Sequence, residues 1–218
     1  MTLLNTFTDI ARQAGFTLPD TLAAWYGAGM TNSDDIRAMA PVYDFEWISP
    51  ASAQQTMEEW LNPAAQHGNR FFPFAESGAG DAYCLVKLAD GREGVAQVWH
   101  DSDTSSIEYA SFADFVAATH LESYADLSHL SKADDALSVF VRASLVRSTP
   151  ALPAAHTEAM LTPAQEEVSQ RPFKSGPKAR PQMVPALLAQ EDAESRAAGF
   201  MMAAPVEFGV VPRWEIDA

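Results

Sequence analysis

The stretch FFPFAESGAGDAYCLVKL, residues 71–88, places two glycines, Asp81 and the single cysteine of the chain in one short segment. A glycine-rich loop can bind phosphate when a strand precedes it and a helix follows, because the amides at the helix N-terminus point at the anion. Here a strand-like run follows the glycines, and no Gly-Lys-Ser/Thr sequence is present. We therefore expect Gly78 and Gly80 to form a turn between two strands, where glycine allows a positive φ.

The sequence also gives no pattern for nucleophilic catalysis. Cys84 lies between Tyr83 and Leu85 in the middle of an expected strand, whereas a reactive thiol prefers an exposed, electropositive position. No G-x-S-x-G sequence of a serine hydrolase occurs. We expect Cys84 to be a small buried apolar side chain, and we expect a protein that is not an enzyme and has no catalytic residues.

The sequence WHDSD brings His100, Asp101 and Asp103 together, and these residue types can bind a divalent ion. However, the segment follows a strand-like run, where polar residues commonly begin a turn. The five histidines, at positions 67, 100, 120, 129 and 156, show neither H-E-x-x-H nor another metal-ligand spacing. We expect these residues to shape a turn that binds no metal, and we expect no cofactor.

The charge balance limits the partners that the protein can have. The 218 residues include 14 Lys and Arg against 29 Asp and Glu, which gives a net charge of −15. Such a surface repels nucleic acids and anionic membranes, and it either suits a basic protein partner or only keeps the protein soluble. The N-terminus does not resemble a signal peptide, and no segment reaches the ~20 apolar residues of a membrane span. We expect a soluble, cytoplasmic protein.

Helices and strands follow one another through the first 148 residues. Helical spacing of apolar residues and capping patterns predict helices that begin near Leu3, Leu18, Ser49 and Ser111. The runs VYDFEW, AYCLVKL, VAQVWH and SIEYA are strand-like, and Asp90-Gly91 predicts a hairpin between the second and the third. Helices, then strands, then helices indicate an α+β fold with an antiparallel sheet.

Acidic residues that flank the expected sheet are the candidate partner-binding residues. In VYDFEW, aromatic residues alternate with two acids, which predicts a strand with one wet face, and the acid in SIEYA is placed in the same way. If the two strands share a sheet, their carboxylates would form one negative face. The candidates are Asp44, Glu46, Asp101, Asp103 and Glu108. The residues expected in the core instead are Trp25, Trp47, Trp60 and Trp99.

The composition changes after about residue 148. Nine of the 14 prolines lie at or beyond Pro150, and the run RPFKSGPKARP is locally basic and not expected to be regular. We therefore divide the chain into residues 1–148 and a Pro-rich C-terminal extension, residues 149–218, which is partly helical and packs on the core or on a partner. A helix before Gly199 and a last strand in VEFGVV are expected within it. Its basic residues, Arg171, Lys174, Lys178 and Arg180, are a rival contact surface.

Three segments together resemble the SUKH superfamily, which joins bacterial immunity proteins to a fungal regulator of cell-wall synthesis. LPDTLAAWYGAGM is similar to its short helix with a leucine-proline start, and FFPFAESGAGDAYCLVKL is similar to its proline-phenylalanine strand and Gly-Asp turn. The order of the following strand, which ends in a His-Asp pair, and of the helix that begins SFADF agrees as well. The resemblance covers about residues 15–120. The family's structural signature falls on Phe72, Pro73, Phe74, Gly80 and Asp81.

This resemblance implies a twisted antiparallel sheet flanked by helices and a role in binding. Bacterial members typically neutralise a toxin made by the neighbouring gene, so it implies an immunity protein, or antitoxin, of interbacterial competition that occludes the toxin's active site. The implied partner is a toxin domain, most often a nuclease and sometimes a deaminase or an ADP-ribosyltransferase. The alternative is a regulatory scaffold that binds a cellular protein without any toxin. A third interpretation, a hydrolase that reverses a toxin's modification, needs a carboxylate or metal site in a cleft, and no spacing in the sequence supports one. The implied SUKH-like domain is residues 1–148.

Overall fold

The computed structural model describes residues 2–32, 38–130, 132 and 134–216. The helices are α1 (Leu3–Ala14), α2 (Asp20–Gly27), α3 (Pro50–Glu59), α4 (Phe112–Ser123), α5 (Asp134–Ser148), α6 (Ala154–Leu161), α7 (Gln190–Ala198) and α8 (Arg213–Ile216). The strands are β1 (Glu46–Trp47), β2 (Arg70–Glu76), β3 (Ala82–Lys87), β4 (Glu93–Val98), β5 (Thr104–Ile107), β6 (Ser169–Phe173), β7 (Gln182–Ala186) and β8 (Val206–Gly209). The α+β prediction is confirmed. Among the helices described, none has the length and apolar character that crossing a membrane requires.

The contacts within the chain define two compact units. The first unit contains Met1–Asn32, Asp44–Phe112 and Met202–Ala218, and the second contains Ser33–Tyr43 and Ala113–Met201. The last segment of the chain therefore belongs to the same unit as the first. These boundaries differ from the expected division at residue 148, which was based on composition and on the resemblance and stays a prediction.

The first unit is built on an antiparallel sheet of strand order β1-β2-β3-β4. Apolar and aromatic residues fill β2 and β3, and such side chains favour extended backbone. The predicted hairpin is confirmed, because Gly91 has a φ of +91° and the amide of Leu88 donates to the Arg92 carbonyl at 2.8 Å. The register of β3 with β4 places Ala82 opposite Val98 at the far end of the hairpin.

Helices flank this sheet and begin and end where the sequence supplies capping groups. The Thr2 hydroxyl accepts the amide of Asn5 at the start of α1, and Gly15 closes that helix with a φ of +87°. The Ser49 hydroxyl accepts the amide of Ser52 at 3.1 Å, and a proline follows in the first turn of α3. The predicted beginning of α3 and end of α1 are both confirmed. Both helices contact β2.

The sheet of the first unit has a buried core on each face. On one face, Phe72 and Phe74 of β2 make ring contacts with Phe7 and Phe112. On the other face, a cluster of buried residues includes Trp60, Phe71, Cys84, Val98, Ile107 and Phe208. Burying one such large apolar side chain stabilises a fold by about 1.5–3 kcal/mol, so the two faces together hold the sheet in place. The register shifts between Pro73 and Ala75, because proline donates no ladder hydrogen bond.

The last strand of the chain pairs with β5 and completes the first unit. Thr104 lies opposite Gly209, and Ile107 lies opposite Val206. Beyond β8, the carbonyl oxygen of Val211 accepts the indole N–H of Trp60 at 3.0 Å, and the amide of Val211 donates to Gln66 at 2.9 Å. The predicted strand in VEFGVV is therefore confirmed.

The predicted strand over residues 42–47 is wrong in its extent. Only Glu46 and Trp47 pair with β2. Asp44 has a φ of +55°, which breaks the alternation, and Tyr43 is 70% exposed instead of facing the core. The expected core position of Trp99 is also wrong, because this residue follows the end of β4 and is 45% exposed.

The second unit contains most of α4, with α5, α6, α7 and the hairpin of β6 and β7. Helix α5 buries an apolar stripe of Leu137, Val141 and Leu145, each of which is fully buried. Helix α7 ends at Gly199 as expected. The run RPFKSGPKARP was not expected to be regular, and this is wrong for Arg171–Phe173, which lie in β6 and pair with β7.

Candidate functional site

The glycine-containing segment after β2 is a turn between two strands, as predicted. The amide of Ser77 donates to the Asp81 carbonyl and the amide of Gly80 donates to the Ser77 carbonyl, both at 2.9 Å. Gly80 has a φ of +96°, which glycine adopts without strain. No helix N-terminus follows the turn, because β3 begins at Ala82. The arrangement is therefore not that of a phosphate-binding loop.

Asp81, at the end of this turn, is the most highly connected carboxylate of the candidate site. It is 3% exposed. Its two oxygens accept four hydrogen bonds: from the Ser77 hydroxyl at 3.0 Å, the Gln97 amide at 3.1 Å, the His100 backbone N–H at 3.2 Å and His100 Nδ1 at 2.7 Å. Asp81 thereby joins the turn before β3 to the end of β4. This connection is structural, and the assignment of Asp81 to the family's signature stays a prediction.

The hydrogen bonds to Asp81 decide its ionisation. Burial alone would raise the pKa of this carboxyl. The hydrogen bonds from the side chain and backbone of His100, and then from Ser77 and Gln97, act in the opposite direction and together lower the pKa below its ordinary value. Asp81 is therefore held as a carboxylate at neutral pH.

Asp81, His100 and Asp101 each place a possible metal-ligand atom within 4.8 Å of the other two. The residues of WHDSD thus meet a further acid that lies 19 residues earlier in the chain. The Asp81 oxygens and His100 Nδ1 are already engaged with each other and with neighbouring donors. His100 and Asp101 lie in a turn after β4, as expected. That these residues bind no metal stays a prediction.

Cys84 has the surroundings of a structural side chain. It is 0% exposed in the middle of β3, and its thiol lies 3.8 Å from the carbonyl oxygen of Ala82. Burial raises the pKa of the Cys84 thiol well above its ordinary value. The predicted buried position is confirmed, and the thiolate that nucleophilic chemistry needs is disfavoured there.

A groove of about 330 Å³ lies beside this turn, on the side of β4 and β5 that faces away from Val98 and Ile107. It is lined by Gln97, Trp99, Asp101, Ser102, Thr104, Ser105, Ser106 and Glu108. The side chains of Thr104 and Ser106 in β5 and of Glu108 just after it point into the groove, because successive side chains of a strand point to opposite faces. We call this feature the β4–β5 groove.

Two of the predicted partner-binding residues, Asp101 and Glu108, meet in the β4–β5 groove. Asp101 is exposed, and Glu108 is half-buried. Burial raises the pKa of Glu108 above its ordinary value. Asp103 is exposed in the same turn, one residue before β5. None of the described residues that line the groove is basic.

Asp44 and Glu46 lie at the other edge of the sheet. β1 pairs with β2, so β2 and β3 lie between β1 and the groove. One oxygen of Asp44 accepts the amide of Gly78 at 2.7 Å, and Glu46 lies opposite Glu76. β1 belongs to the four-stranded sheet and β5 pairs with β8, so the two strands predicted to carry these acids do not share one sheet. Whether each of them contacts a partner stays a prediction.

The contact of Asp81 with His100 was not predicted, although the sequence contains a signal for it. The hairpin turn at Asp90-Gly91 fixes the pairing of β3 with β4, and counting outward from it places Asp81 beside Trp99 and His100. The exposure of Trp99 was also missed. Trp99 shares its strand face with Gln97, whose polar side chain indicated a face in contact with water.

A larger cavity of about 640 Å³ lies in the second unit, between the segment after β6 and helix α7. Its lining combines Lys174 with the acids Glu122, Glu191 and Glu194. Gln190 closes one side of this cavity. Its side-chain oxygen accepts the backbone N–H of Lys174, and its side-chain NH2 donates to the Lys174 carbonyl oxygen. The mixture of charges gives this cavity no definite ligand preference, unlike the β4–β5 groove.

Comparison with known proteins gives one family. No curated protein and no solved structure matches the chain. The model of the SMI1 / KNR4 family (SUKH-1) matches residues 4–118, which is more than half of the chain and includes all of α1 but its first residue, the sheet from β1 to β4 and the β4–β5 groove. The chain therefore belongs to the SMI1 / KNR4 family, SUKH-1.

Proposed function

We propose that this protein is an immunity protein that binds and neutralises the toxin domain encoded beside its gene. The observation that carries the proposal is the family match over residues 4–118. Bacterial members of the superfamily that the sequence resembles typically act in this way. Acting in the cytoplasm, the protein would protect the cell that makes it during competition between bacteria.

The proposed mechanism is occlusion of the toxin's active site, without chemistry by the immunity protein. The two residues that first suggested chemistry support it. Cys84 is fully buried, and the oxygens of Asp81 are occupied by hydrogen bonds. Neither side chain is available to attack a substrate or to transfer a proton to it.

A basic toxin domain suits the charge of this protein. The net charge of −15 attracts a domain whose Lys and Arg bind phosphates, which is the common condition of a nuclease. Complementary charge accelerates association and disfavours wrong partners. A nuclease is therefore the proposed class, and a deaminase or an ADP-ribosyltransferase is the next.

Co-expression with the neighbouring gene product tests the proposal. The full chain is produced together with the C-terminal domain of the toxin encoded next to it, and the pair is purified by a tag on the toxin. Co-purification at equal stoichiometry, with survival of cells that otherwise die from the toxin domain, is the expected result. A toxin domain from an unrelated locus is the control and should neither co-purify nor be neutralised.

Two results would contradict the proposal. If the cognate domain binds tightly but still kills, the occlusion mechanism is wrong. If the gene has no toxin neighbour and the chain instead retains a cellular protein, the protein is a regulatory scaffold and the immunity function is wrong.

A further inference from the structure

We infer that the β4–β5 groove binds an arginine side chain of the partner, with the guanidinium group stacked on Trp99 and paired with Glu108. The inference rests on the proposed function, since it names the part of the toxin that this protein would hold. It concerns a defined surface of the first unit and can be tested on that surface alone.

The shape of the β4–β5 groove suits one long side chain. Trp99 at the end of β4 forms one wall, and Thr104, Ser106 and Glu108 on and after β5 form the opposite wall. The volume of about 330 Å³ lies at the lower end of the range of small-ligand sites. The open side faces solvent, so a residue of another protein can enter it.

The charge of the groove selects a cation. Asp101 and Glu108 line it, and Glu207 lies directly opposite Ser106 in the pairing of β5 with β8, which places a third carboxylate on the same face. Among the described residues, no basic side chain forms an ion pair with any of these three acids. Burial of the Glu108 carboxylate without a counter-ion disfavours its charged form, and a bound cation would remove that cost.

Trp99 favours arginine over lysine. The Trp99 indole is 45% exposed and lines the same groove as Asp101 and Glu108, and an aromatic ring in such a position can stack with a cation. Arginine stacks on an aromatic ring through its planar guanidinium group and donates two parallel hydrogen bonds to a carboxylate, whereas lysine is a compact, strongly hydrated charge. Tryptophan is also one of the residues that most often dominate binding energy at interfaces.

The walls of the groove are fixed before any partner binds. Gln97 donates to Asp81 at 3.1 Å, which holds its amide at the floor of the groove. The backbone N–H of Trp99 donates to the Ser105 hydroxyl at 3.1 Å, which ties the end of β4 to β5. A pre-formed site loses less conformational freedom on binding than a flexible one and therefore binds more tightly.

The first experiment uses the chain without its toxin. N-acetyl-arginine amide is titrated into the full chain while the indole N–H signal of Trp99 is followed by NMR, with Trp99→Phe used to assign that signal. We expect the signal to move on addition of the arginine probe, to move less with N-acetyl-lysine amide, and to remain still with N-acetyl-glutamine amide. Glu108→Gln removes the carboxylate that is proposed to pair with the guanidinium group and keeps the shape of the side chain, so it should reduce the response several-fold.

The second experiment measures affinity for the cognate toxin domain by calorimetry. Glu108→Gln and Trp99→Ala should each weaken binding about tenfold or more, since a paired charge and an aromatic contact are lost. The control is Glu76→Gln, which removes an exposed acid at the end of β2 and should change the affinity less than about twofold. Toxin arginines are then replaced one at a time by alanine. One of these replacements should weaken binding to the wild-type chain but cause no further loss of affinity for the Glu108→Gln chain.

The outcomes separate this inference from the proposed function. If the toxin domain binds the wild-type chain and both groove variants equally well, the inference is wrong and the immunity function stands. If no toxin domain binds but the arginine probe shifts Trp99 through Glu108, the groove is an arginine site and the proposed function is wrong. If the probe fails to shift Trp99 in the wild-type chain, the inference is overturned.

Discussion

Replacing Asp81 tests the argument that this residue joins two parts of the sheet. Its carboxylate accepts four hydrogen bonds from Ser77, Gln97 and His100, and the side chain is 5% exposed. In Asp81→Ala the donors of Ser77 and of the His100 backbone lose their acceptor in a place that water reaches poorly. In Asp81→Asn one side-chain oxygen still accepts hydrogen bonds. The NH2 group that replaces the other oxygen is a donor, so it cannot accept from the donors that face it.

The expected loss of stability follows from the number and kind of these bonds. A hydrogen bond to a charged group contributes about 1.5–3 kcal/mol, and a buried donor left alone costs about 1–3 kcal/mol. The His100 side chain is 32% exposed and can turn to water, so the four bonds do not add in full. We expect Asp81→Ala to lower the free energy of unfolding by about 3 kcal/mol, or roughly 6–12 °C in Tm. Asp81→Asn should cost about 2 kcal/mol.

The dependence of this effect on pH is a sharper test. Because the pKa of folded Asp81 is lower than its ordinary value of 3.8, its ionised form stabilises the fold fully above that ordinary value. The stabilisation is lost as the pH falls through the lower, folded-state pKa. The Tm difference between wild type and Asp81→Asn should therefore be constant from about pH 7 to pH 5 and shrink in stronger acid.

Melting followed by circular dichroism at several pH values gives the measurement. Asp103→Asn, an exposed acid in the nearby turn, is the matched control and should change the free energy of unfolding by less than about 0.5 kcal/mol. A Tm of Asp81→Asn within about 1 °C of wild type would refute the reasoning. A difference that persists unchanged in strong acid would show that the loss does not come from the ionised carboxylate.

Four further predictions use the same melting and binding assays. Gly94→Ala should destabilise the fold by about 2 kcal/mol or more, because a Cβ there would lie 2.5 Å from the Tyr109 carbonyl oxygen. An unchanged Tm would show that the backbone shifts to accommodate the Cβ without a measurable loss of stability. Cys84→Ala should lower the free energy of unfolding by about 1 kcal/mol and leave toxin binding intact. The wild-type thiol should react with a thiol reagent only on unfolding, and rapid labelling of the folded protein would disprove its burial. Glu108→Gln should raise Tm at pH 7, because the raised pKa of Glu108 means that its charged form destabilises the fold. The gain in Tm should disappear near pH 4, where the carboxyl is protonated. A Tm at pH 7 lower than that of the wild type would contradict this direction. Calorimetry with zinc or calcium should show no tight stoichiometric binding at Asp101, and a stoichiometric site lost in Asp101→Asn would make the turn a metal centre.

Local patterns predicted the elements whose structure depends on neighbouring residues. Helix α1 ends at Gly15 because glycine alone adopts that backbone conformation without cost, and α3 begins at Ser49 because its hydroxyl accepts a free amide. The hairpin at Asp90-Gly91 was equally predictable. Each of these signals lies within a few residues of the feature that it determines.

Features that depend on distant residues could not be predicted in the same way. The pairing of β5 with β8 places Thr104 opposite Gly209, and neither segment carries a local sequence signal that identifies the other as its partner strand. The β6–β7 hairpin contains Pro172 and Pro185, which usually argue against a strand, yet a two-stranded ribbon leaves outer edges where no N–H is needed. The β4–β5 groove likewise arises only when these segments meet.

The place of β8 in the chain has a consequence for biosynthesis. Residues 113–201 of the second unit are synthesised between β5 and its partner strand, so a nascent chain must carry an unpaired β5 edge until Val206–Gly209 emerges. Closing so long a loop is slow, and an open strand edge beside an apolar cluster attracts chaperones and proteases. A chain truncated before β8 would therefore keep this edge of β5 without its partner strand. Thr104 and Ser106 of the groove wall would become ordered only in chains translated through the last strand.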